Sequence, residues 1–325
     1  MEEREWIARL QDGPCCLSLL YGQNEQAQAS AKACLQGMQQ AGIDLVSDAD
    51  GLIWALGAVP DLLDAQQLAA ALPAGVATQL ASLDVRWQVE STNASLLALP
   101  PGQAEGVHVL LAEGQLAGRG RRGRRWQSPL ATHVYLSVSW PFPQGMRAMA
   151  GLSIAVGVMV AEALSGAGLR GVGLKWPNDL VTAHGKLGGI LVESAGTGRG
   201  TARAVIGIGL NVHPCPAAAA AAIDQPWDCL DRLAGAPLRR GQVVSWLLAG
   251  LLPGLEHFAV HGLAGFMEGY ARWDVLAGKP IWLDNGQHER VPATALGLAP
   301  DGSLRVRQGS LECCVHAGEV SVRQQ

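Results

Sequence analysis

The sequence predicts a mixed α/β domain flanked by two smaller modules, and three observations carry that prediction. From about residue 82, apolar strand-like runs alternate with helical ones. Before that point the chain is helical, rich in alanine and glutamine, and acidic. After Trp273 it breaks into short strands joined by tight turns. The expected division is 1–80, 81–273 and 274–325.

In the first segment, Trp6, Ile7 and Leu10 share a helical face, and a second helical patch runs from Ala29 to Met38 and stops at Gly42. The apolar run IDLV, the acidic turn SDADG and LIWAL follow. Helices followed by a two-stranded hairpin outline a winged helix-turn-helix-like domain. A further helix, DAQQLAAAL, precedes Pro73 and Gly75 and has the character of a connection.

The central segment alternates DVRWQVE, STNASLLAL, VHVLLAE and HVYLSVSW, then the long apolar helix GLSIAVGVMVAEALSGAG, then LKW, GGILVES and AVIGIGLNV as buried strands. The stretch PCPAAAAAAIDQPW is expected to be a loop or frayed helix with no assignable chemistry. KPIWLD, HERVPATALGLA, SLRVRQG and LECCVHAGEVSVR, joined by DNG and PDGS, suggest a small β-barrel.

At 325 residues and 49% hydrophobic, with mean hydropathy +0.16, the chain can bury a substantial core. No apolar run approaches the roughly 18 residues needed to span a bilayer, and the start MEEREWIARL is acidic where a secretory signal is basic and then apolar. A cytoplasmic enzyme with no membrane partner is expected. The seven cysteines are odd in number and form no C-x-x-C, so reduced and mostly buried thiols are expected. His257 and His261 share a helical face but lack the glutamate of H-E-x-x-H, so no residue is assigned to a metal. Residues 1–80 hold three basic side chains against ten acidic ones, a net −7, which leaves +3 for the rest of a −4 chain.

Five arginines crowd into GRGRRGRRW, residues 118–126. The pattern matches G-x-G-x-x-G, but RRWQSPLATH lacks apolar periodicity and contains Ser128-Pro129. No acidic residue follows within 20 positions of Gly123 to hold a ribose, so a dinucleotide fold is excluded. A disordered arginine-glycine tract is excluded too, because this single loop lies between two apolar strands. Glycines that turn backbone N–H groups toward an anion, forked arginine donors and Trp126 to cover a base suit a nucleotide phosphate. A solvated surface loop remains the alternative.

In KWPND, Pro177 removes a donor and Asn178-Asp179 favours a turn, so the strand stops and presents Lys175 near its end. Only four lysines stand beside twenty arginines, which suggests that a compact ammonium is wanted there; a strand-end lysine in solvent is the alternative. Gly188, Gly189, Gly207 and Gly209 interrupt apolar strands, marking either close approach of a ligand or bulges.

GRGRRGRRW, KWPNDL, KLGGILVE and VIGIGLNV, in this order and together with Ser91, Thr92 and Asn93, resemble the biotin protein ligases, specifically the bacterial bifunctional ligase/repressor type. The resemblance runs from about residue 82 to Arg323. It implies the α+β mixed-sheet catalytic domain of biotin/lipoate ligases, an N-terminal winged-helix-like domain and a C-terminal small SH3-like β-barrel.

It also implies a reaction: biotin and ATP, with Mg2+ arriving on the ATP, give biotinyl-5'-AMP and pyrophosphate, and a lysine of a biotin carboxyl carrier protein, an acetyl-CoA carboxylase subunit, then takes the biotin. By resemblance Ser91, Thr92, Asn93 and Gln115 bind the ureido ring, with Arg119 beside it through its backbone. Gly118, Gly120, Arg121, Lys175, Gly207 and Gly209 complete the biotin site. Arg121 and Arg124 clamp phosphates, Trp126 packs near adenine and Asn211 bonds its edge. Lys175 neutralises charge between the biotin carboxylate and the α-phosphate, which makes it and Arg121 the catalytic pair. Glu319 and Arg323 match positions near the nucleotide. The loop is expected to be mobile when empty and to order on its ligand.

Repressor members of the family bind operator DNA as homodimers, with the adenylate as co-repressor. Here the would-be recognition helix offers only Lys32 and the would-be wing is acidic, so operator binding is not expected. Ligase alone is the primary expectation, and bifunctional ligase/repressor, a homodimer on DNA, is the alternative.

Overall fold

The computed structural model describes residues 1–196, 202–284, 290–317 and 321–324. The first module comprises α1 (Glu3–Gln11), β1 (Cys15–Cys16), α2 (Leu17–Tyr21), α3 (Glu25–Gln40), β2 (Leu45–Ser47) and β3 (Ile53–Leu56). Trp6, Ile7 and Leu10 on α1 and Ala31, Leu35 and Met38 on α3 are buried, as helical spacing requires. Asn24 caps α3 by accepting from the Ala27 amide at 3.0 Å. The strands form an antiparallel sheet in the order β1-β3-β2. β1 and α2 escaped the sequence reading because two- and five-residue elements carry no period.

The chain continues through α4 (Ala65–Ala71) and α5 (Ala74–Ala77). Leu63, Leu68, Leu72 and Val76 belong to the main core, although the expected division grouped them with residues 1–80. The N-terminal core, in turn, takes in Leu130 and Ala131, and the Leu130 amide donates to the Ala41 carbonyl at 2.8 Å.

The central sheet uses β4 (Leu80–Val89), β5 (Val107–Gln115), β6 (Val134–Phe142), β7 (Gly173–Lys175), β8 (Asp179–Thr182), β9 (Gly185–Gly196) and β10 (Ala202–Leu210), in the order β4-β5-β6-β10-β9-β8-β7. Only β4 and β5 run parallel; the other pairs are antiparallel. The short α6 (Thr92–Leu97) connects β4 to β5, and the largely apolar α7 (Leu152–Gly166) is buried against one face of the sheet. After α8 (Ala217–Ala220) and α9 (Leu230–Ala234), α10 (Arg240–His261) packs on α7.

Arg240, at the start of α10, is fully buried and pairs with the equally buried Glu113 of β5 at 2.6 Å. Glu113 also accepts from the Leu63 amide at 2.7 Å. A buried pair is tolerated only when its remaining donors and acceptors find partners, and these do.

α11 (Met267–Trp273) leads into β11 (Pro280–Asp284), β12 (Arg290–Leu298), β13 (Leu304–Gln308), β14 (Leu311–Val315) and β15 (Ser321–Gln324), an antiparallel sheet in the order β14-β13-β12-β11-β15. Ile281, Leu283, Ala295 and Val306 of this sheet join the main core.

Two expectations need correction. Among the described residues one helical stretch, 240–273, is long and apolar enough to cross a bilayer by length and composition. It serves as a core helix, because Val243, Val244, Leu247, Leu248, Leu251 and Leu252 are buried in the main core. The cysteines are all free, but only Cys15 and Cys229 are buried, and Cys313 and Cys314 are exposed on β14. Alternation on an edge strand with little cover leaves both of its faces open.

Candidate active site

One face of the central sheet carries α7 and α10; the other carries α6 and the site. Strand register explains why. Gly209 lies opposite Tyr135 and Gly189, and Asp179 lies opposite Gly189 and Lys175. Directly paired residues share a face, so Tyr135, Gly209, Gly189, Asp179 and Lys175 form one row across five strands. The next row on that face contains Ser137, Gly207 and Leu191. The glycines leave a trough. A Cβ at Gly207 would come within 2.5 Å of Asn93 Oδ1, and one at Gly209 within 2.6 Å of Trp126 Cε2.

The first end of the trough is set by α6. Ser91 caps this helix, and the residues after it turn toward β5 and β10. Gln115 Oε1 accepts from the Thr92 amide at 3.0 Å and from its hydroxyl at 3.2 Å, while Gln115 Nε2 donates to Ser128 Oγ at 3.1 Å. Asn93 Nδ2 donates to the Leu191 carbonyl and to Glu193, so its amide holds the wall together. Arg119 pairs with Glu193 at 3.6 Å. Ser91, Thr92, Asn93, Gln115, Arg119, Gly120 and Gly207 thus meet on one wall. Gly118 sits behind it, where a Cβ would strike Ser128 Oγ and the Trp126 carbonyl at 2.7 Å.

The arginine loop folds back on itself. Gly120 N donates to Arg124 O at 2.7 Å and Trp126 N to Gly118 O at 2.8 Å. Arg121 donates to Asn178 Oδ1 at 3.1 Å and to the Ala317 carbonyl, which ties the loop to the KWPND turn and to the C-terminal sheet. Burial, with Arg122 and Arg124 adding repulsion, lowers the Arg121 pKa, a measure of how far this guanidinium has left water. Arg119, Arg121, Arg122, Arg124 and Arg125 all face the cleft.

The cleft has a volume of about 1490 Å³. Lys175, Lys186 and Asp179 line it, and so do Ala222, Asp224, Gln225 and Pro226 from the alanine-rich segment to which no chemistry was assigned. Lys186, which sequence reasoning passed over, places Nζ 2.7 Å from Asp179 Oδ1 and 5.5 Å from the centre of the Trp126 ring. Its position three residues before Gly189, in a chain with few lysines, was the available signal. The buried Trp126 Nε1 has no hydrogen-bond partner among the described residues.

Asn211 lies behind the wall. Its amide donates to the Lys186 carbonyl at 3.3 Å and the Asp228 carbonyl at 3.0 Å, so it fixes the backbone that carries Lys186. Arg323 stands opposite Trp282 on β15, with its side chain outside the described residues; Glu319 lies outside them altogether. Among the described residues no three metal-ligating side chains gather.

Residues 86–211 match the biotin/lipoate A/B protein ligase family. Across 297 residues, 91% of this chain and 89% of the relative, the sequence is 33% identical to the bifunctional ligase/repressor BirA of Escherichia coli. The chain is a member of the biotin protein ligase family. A biotin–[acetyl-CoA-carboxylase] ligase of Mycobacterium tuberculosis is 45% identical over 121 residues, 35% of this chain and 44% of that protein. The fold of this biotin ligase family member resembles that of the Aquifex aeolicus biotin protein ligase solved with biotin and ATP. The TM-score is 0.63 at 24% identity, covering 75% of this chain and all of that one. The family match at 86–211 spans every expected ligand-contacting residue from Ser91 to Asn211 and leaves out Arg323.

Proposed function

We propose that this protein activates biotin with ATP and transfers it to a lysine of a biotin carboxyl carrier protein. A biotin carboxylate oxygen attacks the α-phosphorus, the bond to the β-phosphate oxygen breaks, and pyrophosphate leaves as biotinyl-5'-AMP forms. The carrier lysine then displaces AMP to form an amide. One observation carries the reading: a single cleft joins an amide- and hydroxyl-lined end, built by Ser91, Thr92 and Gln115, to an end ringed by arginines, Trp126 and two lysines.

The uncharged end suits a ureido group, whose donors and acceptor need partners but no charge. The arginines suit phosphates. Bringing a carboxylate to a triphosphate sets two anions side by side, and a preorganised cation lowers the cost of the charge that develops between them. We assign that task to Lys175 together with Lys186, with Arg121 on the phosphates and Trp126 on the adenine. Mg2+ accompanies ATP as part of the substrate, since it favours phosphate oxygens and water over an all-protein cage.

We further read the first module as a winged-helix-like domain, with its boundary nearer residue 60 than 80, and the C-terminal sheet as a small SH3-like barrel. Cytoplasmic residence and an acetyl-CoA carboxylase carrier subunit belong to the same reading. The likeness to BirA over most of the chain favours a second reading, a ligase that also represses an operator as a homodimer. The charge of the first module opposes it.

The experiment supplies purified protein with Mg-ATP and biotin and follows pyrophosphate release, then adds a carrier domain and follows its mass. Biotin-dependent release and a carrier heavier by one biotinyl group are expected. Release indifferent to biotin, or greater with lipoate, would overturn the assignment.

A further inference from the structure

The short helix α6 lies along β10 and touches it at three successive points. Asn93, in the first turn, stands over Gly207, where a Cβ would come within 2.5 Å of Asn93 Oδ1. One turn on, Leu96 packs with Val205 and Leu110 in a small apolar cluster separate from the main core. At the far end the Leu96 and Leu97 carbonyls meet Arg203, whose Nη1 donates to the first at 2.7 Å and whose Nη2 donates to the second at 3.3 Å. Gly207, Val205 and Arg203 are alternate residues of one strand, so they share a face. The helix therefore follows the strand from the cleft outward.

Arg203 is buried within ARAVIGIGL, a strand otherwise built of apolar residues and glycine. An arginine is almost never buried unless something pairs with it. Burial alone lowers its pKa, with no carboxylate near enough to oppose the shift. Its donors go instead to the end of α6 and to Ser139 Oγ at 3.4 Å. A helix leaves its last carbonyls without intrahelical donors, and a forked cation at that point closes the final turn. The guanidinium is not part of the cleft lining, whereas Ser91, Thr92 and Asn93 at the other end of the helix are. Four strand residues, Arg203 to Gly207, set it about 13 Å from the trough.

We infer that Arg203 is a positioning residue for the biotin end of the cleft: by clamping the last carbonyls of α6 it fixes the angle at which that helix holds Ser91, Thr92 and Asn93 toward a ureido ring that the arginine itself does not touch. This rests on the biotin reading above. Without the clamp, the apolar cluster keeps α6 on the sheet but lets it rock about Leu96, because apolar contact is non-directional. Hydrogen-bonding groups displaced by a fraction of an ångström at the other end then hold their ligand less well. The phosphate end, with Arg121 and Lys175, is left in place.

The test compares steady-state adenylation by wild type, Arg203→Met and Arg203→Lys. Arg203→Met keeps an apolar stem and removes the donors. Its KM for biotin should rise about tenfold, the effect of one net hydrogen bond, while kcat and the KM for ATP stay within about twofold. Arg203→Lys, with one ammonium able to reach the Leu96 carbonyl, should recover most of that loss. A lower Tm in Arg203→Met with all three constants unaltered would mean that the arginine serves the fold alone and would overturn the proposal. So would kcat and both KM values worsening together, or a lysine variant no better than the methionine one. Should Arg203→Met not fold, Arg203→Gln, whose amide is too short to span both carbonyls, is judged by the same split between biotin KM, ATP KM and kcat. If wild type itself shows no biotin-dependent pyrophosphate release, the biotin reading fails and takes this one with it. An active wild type whose methionine or glutamine variant keeps the wild-type biotin KM defeats this proposal alone.

Discussion

Trp126 lies against Gly209 so closely that a Cβ added to the glycine would meet Trp126 Cε2 at 2.6 Å, whereas one added to the neighbouring Gly189 would stand 3.5 Å from the same ring. Glycine is therefore required at one position and merely present at the other. Gly209→Ala must displace the indole or the strand, an overpacking effect of about 1–3 kcal/mol. We expect it to raise the KM for ATP tenfold or more, while Gly189→Ala changes it by less than about threefold. Equal effects at the two positions would mean that Trp126 does not shape the nucleotide end.

Lys186 and Lys175 flank Asp179, the first as an ion pair at 2.7 Å and the second across the β7–β8 register. If charge between carboxylate and α-phosphate is neutralised here, removing either ammonium should slow adenylation. Loss of one preorganised electrostatic partner typically costs about 10²–10³ in kcat. We expect Lys175→Ala to slow adenylation, Lys186→Ala to slow it at least as much, and calorimetric biotin affinity to stay within about threefold in both. Loss of biotin binding itself in Lys175→Ala would remove that lysine from the role and place it at the ureido end.

The strands were legible because their period is local, and the four motifs fell on the elements expected of them. What each element would touch was not legible. DAQQLAAAL announced a helix, but short alanine-rich periodicity does not say which core it joins, and Leu68 proved to belong to the main one. Nothing in the spacing around Arg240 distinguishes a buried arginine from a solvated one; only its approach to Glu113, 127 residues away in sequence, does so. Lys186 was hidden by its position at the start of a strand, where a lysine more often faces solvent. Asn211 was expected at a base edge, but its amide is engaged with the Lys186 and Asp228 carbonyls rather than aimed into the cleft.

Two histidines, His133 buried and His213 partly buried, give folding stability a predictable dependence on pH. Burial, reinforced by the positive charges of His213 and Arg240, pushes the His133 pKa down to about 3, and its Nδ1 accepts from the Val212 amide, as a neutral ring must. At His213, burial opposes the charge, but bonds to Asp61 and Asp231 outweigh it and raise the pKa. As pH falls below the unfolded value of about 6.5, the unfolded chain binds a proton that His133 refuses, so stability declines from there toward pH 3. The His213 contribution is complete below about 6.5 and is lost as pH rises through its raised pKa. Of the two, His133 governs the acid limb: moving from pH 6.5 to 5 should cost about 2 kcal/mol at 1.36 kcal/mol per unit. Replacing it by asparagine, which keeps an acceptor without a titration, should flatten the acid limb of Tm against pH. An acid limb of unchanged slope in His133→Asn would assign the loss to other groups.

Likeness to a ligase/repressor says that the first module should bind an operator, yet protein–DNA affinity rests on neutralising phosphates with several Lys or Arg contacts per subunit. Residues 1–80 contain only Arg4, Arg9 and Lys32, and each donates a hydrogen bond to another residue of the chain. Arg4 donates to the Leu63 carbonyl at 3.1 Å, Arg9 to Cys15 Sγ at 3.4 Å, and Lys32 to the Asp50 carbonyl at 2.6 Å. Lys32 is the only cation on α3, the helix that would enter a groove, and it is drawn back to the acidic turn between β2 and β3. Helix N-termini and polar side chains offset part of the deficit, but a site lacking six phosphate contacts forgoes an electrostatic term that changes about a thousandfold between low and ordinary salt. We therefore expect no sequence-specific binding at physiological salt, with biotin and Mg-ATP present, and only feeble binding at low salt. The measurement is a titration of labelled promoter DNA from the organism's own biotin-synthesis genes at two salt concentrations. Binding in the nanomolar range that resists competitor DNA at the higher concentration would defeat the expectation and restore the repressor reading. Binding confined to low salt, with a shallow salt slope, would agree with a module that keeps the scaffold but has lost the charge to use it.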